Sequence, residues 1–248
     1  MSGYGSFAFY YDLLTANISY QQRGGYFHGL LQKYQPPGPI LLDLACGTGS
    51  LSEVMARLGY DVIGVDGSGE MLMEAMDKKA RSGLDILYLC QPMEELDLYG
   101  TVDCCICALD SLNHLTDPAS LLAALKRVAL FLAPGGVFLF DVNTPYKHQC
   151  VLSERTFVYD LDEVFCVWQN GTCKDHLVEI TLDLFEAEED GGYRRETECF
   201  SERAYSHAEL LSLLEQAGLV FLDCFGEDSL EPPGPEAQRV VYAVRSGK

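Results

Sequence analysis

Positive charge is scarce in this chain. Its 248 residues include 17 Lys and Arg against 37 Asp and Glu, a formal charge of −20 at pH 7. Such a surface repels a phosphate backbone at long range, which argues against nucleic acid as a partner. Long apolar runs are also missing. None approaches the roughly 20 residues that span a bilayer, and Met1-Ser2-Gly3-Tyr4-Gly5 has neither the basic region nor the apolar core of an export signal. No membrane association is expected, and the cytoplasm is the expected location. The ten cysteines fall largely inside apolar strand patterns such as Cys104-Cys105-Ile106-Cys107, where cysteine behaves as a small hydrophobe in a reducing compartment. Cys104 and Cys107 form a C-x-x-C, yet no second pair or His cluster stands at zinc spacing, so no metal site is expected.

The most informative stretch is Leu41-Leu42-Asp43-Leu44-Ala45-Cys46-Gly47-Thr48-Gly49-Ser50-Leu51, followed by Val62-Ile63-Gly64-Val65-Asp66. It reads as a strand, a glycine turn, a helix start and a second strand ending in a carboxylate. Glycines let the backbone turn sharply and let a ligand approach its N–H groups, while an acid at the next strand tip can hold both hydroxyls of a ribose. An adenosine-containing ligand is implied. A dinucleotide fingerprint would carry a third glycine or alanine, where this chain has Ser52, and an apolar residue in place of Asp43. A carboxylate at Asp43 would repel a pyrophosphate and suits a cationic ammonium, such as that on the methionine half of S-adenosylmethionine.

Length and a hydrophobic content of 48% suit one well-packed α/β domain with an embellishment. Apolar strands at 40–44, 61–66, 84–89, 102–109 and 137–141 alternate with helical segments, the rhythm of a parallel sheet. Asp117 with Pro118 announces a helix, Pro134-Gly135-Gly136 stops it, and the box Ser206-x-x-Glu209 opens the last helix before Gly218. Two strands, 220–224 and 239–244, close the chain. Between 151 and 204 the pattern becomes alternating, with Gly191-Gly192 as a hairpin turn and Glu186 to Asp190 as its solvated acidic tip. The expected organisation is a ligand-binding domain over 1–150 and 205–248 with an antiparallel β insertion over 151–204.

Asp43, Cys46-Gly47-Thr48-Gly49 and Asp66 together resemble the first motifs of the class I S-adenosylmethionine-dependent methyltransferases. The resemblance covers nearly the whole chain and extends to uncharacterised bacterial small-molecule enzymes related to glycine and sugar-amine N-methyltransferases. It implies an α/β Rossmann-like fold, with a seven-stranded, mostly parallel sheet, an antiparallel last strand and the insertion as a lid. It implies S-adenosyl-L-methionine as cofactor. Gly47 and Gly49 would flank its methionine part, Ala45 and Cys46 would lend backbone groups, Asp43 would face its ammonium and Asp66 its ribose. Met71, in Asp66-Gly67-Ser68-Gly69-Glu70-Met71-Leu72, would pack on the adenine. Pro92 stands where many relatives have an acid, which leaves adenine to Gln91 and a backbone carbonyl, with Met93 as a wall. The segment Phe7 to Leu14 with Tyr20 resembles a preamble that folds over the cofactor, so Tyr11 and Tyr20 are candidates there.

Methyl transfer is an in-line displacement that needs alignment, dryness and sometimes a base. The family's acceptor contacts come from the fourth strand tip, here Leu109-Asp110-Ser111-Leu112-Asn113-His114, and the fifth, Asp141-Val142-Asn143-Thr144. His114 is the candidate base, Asp110 an orienting acid and Asn143 a donor. No N-P-P-Y and no Pro-Cys pair marks an amide or pyrimidine acceptor. A small-molecule amine is the expected acceptor, with oxygen close behind. The rivals are an enzyme acting on tRNA or protein, an NAD-dependent oxidoreductase, and a cofactor-binding protein without catalysis.

Overall fold

The computed structural model describes residues 5–188 and 191–248. The expected strands form β1 (Ile40–Leu44), β2 (Asp61–Asp66), β3 (Leu87–Cys90), β4 (Val102–Cys107) and β5 (Leu132–Asn143). After an insertion of four strands, β6 (Thr156–Asp160), β7 (Val164–Asn170), β8 (Leu177–Ala187) and β9 (Tyr193–Arg203), the chain ends with β10 (Leu219–Gly226) and β11 (Arg239–Ser246). The main sheet has the order β10-β11-β5-β4-β1-β2-β3. Strands β1 to β5 pair in parallel, and β11 lies antiparallel between β5 and β10. The order reverses at β1, whose neighbours are β2 and β4, and the crevice beyond the carboxyl ends of such strands is where α/β sheets bind ligands.

Successive residues of the buried strands face opposite layers, because side chains alternate along a strand. Leu42, Cys105, Phe138 and Tyr242 pack under α5 (Pro118–Phe131) and α6 (His207–Gln216). Leu41, Cys104, Leu139 and Val241 pack under α2 (Tyr20–Tyr34) and α3 (Ser50–Arg57). Cys104 and Cys107 therefore face different layers. The caps follow the sequence: Asp117 accepts from Ala119 N–H, and Ser206 and Glu209 form a reciprocal capping box.

Three local expectations differ from the structure. Pro134-Gly135-Gly136 lies inside β5 as a register shift opposite β4, the helix having ended at Phe131. Helix α2 was not expected, since Gly24, Gly25 and Gly29 blur its apolar stripe; Gly24 lets α3 approach so closely that a Cβ would meet Val54 Cγ1 at 2.4 Å. Glu186 sits within β8, buried and paired with Arg194, rather than at a solvated tip; Glu189 and Asp190, like Met1 to Tyr4, lie outside the described residues.

The insertion forms its own antiparallel sheet in the order β6-β7-β8-β9. Its apolar face, Cys166, Ile180, Leu182 and neighbours, packs against Phe7, Tyr10 and Leu14 of α1 (Gly5–Leu14). Glu198 on β9 accepts from the Phe7 N–H. On its other side α1 is tied down by Asp12, which takes hydrogen bonds from Thr48 Oγ1 (2.7 Å) and Ser50 Oγ (3.2 Å) and pairs with Lys78 of α4 (Gly69–Ser82).

Asp43 departs from its expected place. It is 2% exposed, lies beneath the glycine turn, and accepts a hydrogen bond from Ser52 Oγ at 2.5 Å. It does not line the cavity described below, so it stands beneath the turn rather than in the place expected for facing a ligand's ammonium. Burial pushes its carboxyl up to about 7, with Asp66 adding to the rise and the Ser52 bond opposing it. A raised carboxyl favours folding while protonated, so its contribution is present at acid pH and lost as pH climbs from the ordinary carboxylate range through 7. Between pH 5 and pH 8 the Tm of Asp43→Asn should therefore gain on wild type by about 5 °C. Parallel Tm profiles of the two proteins across that range would refute the buried, titrating Asp43.

Candidate active site

A cavity of about 570 Å³ opens at the carboxyl ends of β1, β2, β4 and β5, roofed by α1 and the insertion. On the β1 side, Ala45, Gly47 and Gly49 hold φ of 58°, 55° and 74°. The two glycines serve different ends. A Cβ at Gly47 would meet nothing within 4 Å and Gly47 faces the cavity, whereas a Cβ at Gly49 would strike Tyr88 Oη at 2.3 Å. Gly49 is thus a packing glycine behind the wall, and Cys46 is buried beside it.

The Asp66 carboxylate closes this corner by accepting from Gly47 N–H and Ser68 N–H, both at 2.8 Å. Burial raises its pKa, and the two backbone bonds oppose that rise. It faces the cavity with Met71, whose N–H is capped by Ser68 Oγ at 3.1 Å. Pro92, Met93 and Glu94 form the adjoining wall. Gln91 does not join them: its amide exchanges two hydrogen bonds with the Asp97 backbone, at 3.1 and 2.9 Å. Gln91 is thereby withdrawn from the expected adenine contact. Glu94 carried no motif and was not anticipated.

The middle of the cavity is built by the β4 tip. Leu109 and Asp110 both adopt left-handed conformations, φ 58° and 54°, costly for non-glycine residues and therefore in need of support. Asp141 provides it. Its fully buried carboxylate accepts from Leu109 N–H at 3.0 Å and Asp110 N–H at 2.7 Å, and is paired with Arg239 (2.5 Å) and Arg23 (3.2 Å). The expectation that Asp141 meets the acceptor is corrected by this burial. Arg239 also pairs with Asp110 at 2.6 Å. Burial would raise the Asp110 carboxyl, but Arg239 and then Lys147 outweigh it and hold it well below the usual carboxylate range. Lys147 itself is pushed below its ordinary range by burial.

Asn143, at the end of β5, donates to Asp110 (2.5 Å) and Glu202 (3.2 Å) and accepts from Lys147 (2.8 Å). Its side chain is thus occupied as a bracket. His114 faces the cavity, its ring 5.1 Å from Phe200 and its Nε2 3.8 Å from Glu202 Oε1. The insertion contributes Tyr159, Trp168, Leu182, Phe200 and Glu202. From α1, Phe7, Tyr11 and Leu14 close the roof; burial drives the Tyr11 phenol well above its ordinary range. Tyr20 stands behind it, 3.4 Å from Thr15 Oγ1, and does not reach the cavity.

The structure thus gathers Tyr11, Ala45, Gly47, Asp66, Met71, Pro92, Met93, Leu109, Asp110, His114 and Asn143 around one space, and leaves Tyr20, Asp43, Cys46, Gly49 and Gln91 behind it. Arg239, Lys147 and Glu202 carried no sequence motif. Only tertiary structure brings them there.

Comparison with known proteins decides the family. A methyltransferase-domain family model matches residues 41–136. A protein of Geobacillus sp. (strain WCH70) that carries a provisional methyltransferase name is 30% identical over 98% of this chain and 99% of its own length. The S-adenosylmethionine-dependent methyltransferase from Clostridium acetobutylicum ATCC 824 superposes with a TM-score of 0.88 at 33% identity, covering 97% of both chains. The chain belongs to the class I S-adenosylmethionine-dependent methyltransferases. The methyltransferase also shares its fold with S-adenosylmethionine-bound CalS10, an amino pentose methyltransferase from Micromonospora echinaspora, at a TM-score of 0.74, 19% identity and 96% coverage of each chain. Its cofactor is S-adenosyl-L-methionine, and the cradle fits it: an open glycine beside an acceptor-only carboxylate at the tip of the next strand.

In this methyltransferase the Asp141 cluster should be the most sensitive polar point of the fold. Replacing it with an amide leaves two guanidinium groups short of a buried partner, a loss of about 3 kcal/mol or more. Chemical denaturation of Asp141→Asn should show that loss; a variant as stable as wild type would contradict the bracing role.

Proposed function

We propose that the methyltransferase transfers its methyl group to the nitrogen of a small-molecule amine, held in the part of the cavity between Asp110 and the insertion. The observation that carries this reading is the composition of that chamber. Tyr159, Trp168 and Phe200 wall it, and a carboxylate only 5% exposed, Glu202, faces into it beside His114. Aromatic faces and a carboxylate both favour a cation, and a protonated amine brings one. A roofed cavity of about 570 Å³ suits a small acceptor, and a net charge of −20 disfavours a polyanion such as tRNA. The sugar N-methyltransferase KedS8 from Streptoalloteichus sp ATCC 53650, similar in fold, supports nitrogen as the acceptor atom.

In this reading the roles divide along the sheet edge. Ala45 and Gly47 would offer backbone groups to the methionine part, Asp66 would accept from the ribose hydroxyls, and Met71 with Pro92 and Met93 would enclose the adenine. Leu109 and Tyr11, which line the cavity, would border the sulfonium, and the bound cofactor would supply the electrophilic methyl group. Residues 151–204 serve as the substrate lid, with 1–150 and 205–248 as the cofactor domain. Asp110, kept ionised by Arg239, and Asn143, which brackets Asp110 and Glu202, fix the acceptor's position relative to the methyl donor. Alignment and exclusion of water by α1 and the lid then supply most of the rate.

Incubation of the purified protein with methyl-labelled S-adenosylmethionine and a metabolite extract, followed by mass spectrometry, should place label on the nitrogen of a small amine. Label found only on oxygen, RNA or protein would refute the amine reading.

A further inference from the structure

Among the described residues, the lysine and arginine side chains that line the cavity are Arg239 and Lys147. Arg239 is spent on the fold. Its Nη1 pairs with Asp110 at 2.6 Å and Asp141 at 2.5 Å, and its Nε with Glu227 at 3.1 Å. Lys147 is differently placed. Its Nζ donates to Asn143 Oδ1 at 2.8 Å, and no described carboxylate stands within ion-pair distance of it. An ammonium has three N–H donors, so two are left for whatever enters the cavity.

The turn that follows β5 fixes the root of this side chain. The Lys147 N–H donates to Thr144 Oγ1 at 3.1 Å, and that hydroxyl donates to the Ala237 carbonyl at 2.6 Å. From this anchored backbone the stem reaches Asn143, whose amide in turn holds Asp110 and Glu202. Orienting that amide accounts for one N–H and needs no charge; a neutral donor would do it without the cost of burying an ammonium. Burial, with Arg239 beside it, acts against the charged lysine, while Asp110, Glu202 and Glu227 favour it only through space. Asp110 is already matched by Arg239, and Glu202 is turned to Asn143 and toward His114. An anion hydrogen-bonded to Nζ completes the surroundings that these residues leave unfinished.

We propose that Lys147 binds an anionic oxygen group on the methyl acceptor, a carboxylate or a phosphate, so that the acceptor carries an anion as well as its nucleophilic nitrogen. This rests on the placement of the acceptor between Asp110 and the insertion. The two charges then divide over the chamber: the ammonium faces the aromatic walls and Glu202, and the anion faces Lys147. An amine without the anion forgoes the charge-assisted bond and leaves a buried ammonium uncompensated, which makes Lys147 a specificity-determining residue.

Trp168 is the chain's one tryptophan and lines the cavity, so its fluorescence reads occupancy there. The full-length protein saturated with S-adenosylhomocysteine is titrated with acetate, with inorganic phosphate and, at matched ionic strength, with chloride. Acetate or phosphate should give a saturable change, whichever saturates lower naming the group, and chloride should give none. Lysine ¹³Cε NMR should show the Lys147 signal, assigned by its loss in Lys147→Arg, moving with the same midpoint. In Lys147→Met the midpoint should rise about tenfold, and Lys147→Arg should retain the site. Absence of saturation with both anions overturns the proposal, as does an equal response to chloride or a midpoint unchanged in Lys147→Met. So does an equal loss of S-adenosylhomocysteine affinity in Lys147→Met, which would assign the lysine to the cofactor's own carboxylate. Should Lys147→Met not fold, the wild-type Lys147 signal decides alone. No arm uses methyl transfer, so the test can fail while an amine product is found, and hold while label appears on oxygen.

Discussion

One buried carboxylate holds the functional end of this molecule in shape. Asp141 reaches back from β5 to take the N–H groups of two consecutive left-handed residues, Leu109 and Asp110, while Arg23 of α2 and Arg239 of β11 neutralise it. Glu227, beyond β10, pairs with the same two arginines. Five charged side chains from distant parts of the chain thus meet under the β4 tip. A buried ion cluster of this kind contributes little net stability compared with apolar packing, but removing one partner is costly. Its consequence is geometric. The left-handed pair turns Asp110 into the middle of the cavity, and Arg239 keeps that acid ionised.

The cavity around Asp110 is closed by two elements that lean on each other. Helix α1 packs on the apolar face of the insertion, and its Asp12 is clasped by Thr48, Ser50 and Lys78 at the start of α3 and on α4. The helix that roofs the cavity is therefore fastened to the same turn that carries Gly47. From the other side, Asn113 binds the backbone of Asn143 and the Arg203 carbonyl, which ties the insertion to the β4 and β5 tips. Insertion, roof and strand tips share contacts, so both ends of the cavity are built by one set of interactions.

The sheet and the cradle were legible in the sequence because their signals are local. A five-residue apolar strand, a glycine turn and an acid one strand later lie within the span from Ile40 to Asp66, and the caps at Asp117 and Ser206 work within a single helical turn. Asp43 shows the limit of such reading. Its position in the motif led to the right cofactor, yet the side chain turns under the loop to Ser52 rather than toward a ligand. Gln91 misled for a similar reason, since its amide closes a local loop with Asp97. The part of the cavity walled by the insertion was mostly invisible. His114 was found from its place after β4, but Glu202 lies 88 residues further on, in a strand whose alternation reads like any other, and Arg239 and Lys147 have no motif. Non-local chemistry of this sort is set by register and packing, which sequence patterns do not display. Trp168 does two things at once: it packs against the apolar face of the insertion and also lines the cavity.

The central claim is that one cavity holds the cofactor at the Asp66 end and presents its methyl group to a chamber bounded by Asp110, His114 and Glu202. A crystal structure with S-adenosylhomocysteine bound tests this most directly. The account predicts ribose hydroxyls within hydrogen-bond distance of Asp66 and the sulfur directed toward Asp110 and His114. A nucleoside bound with its ribose away from Asp66, or a sulfur turned from the lid, would contradict it.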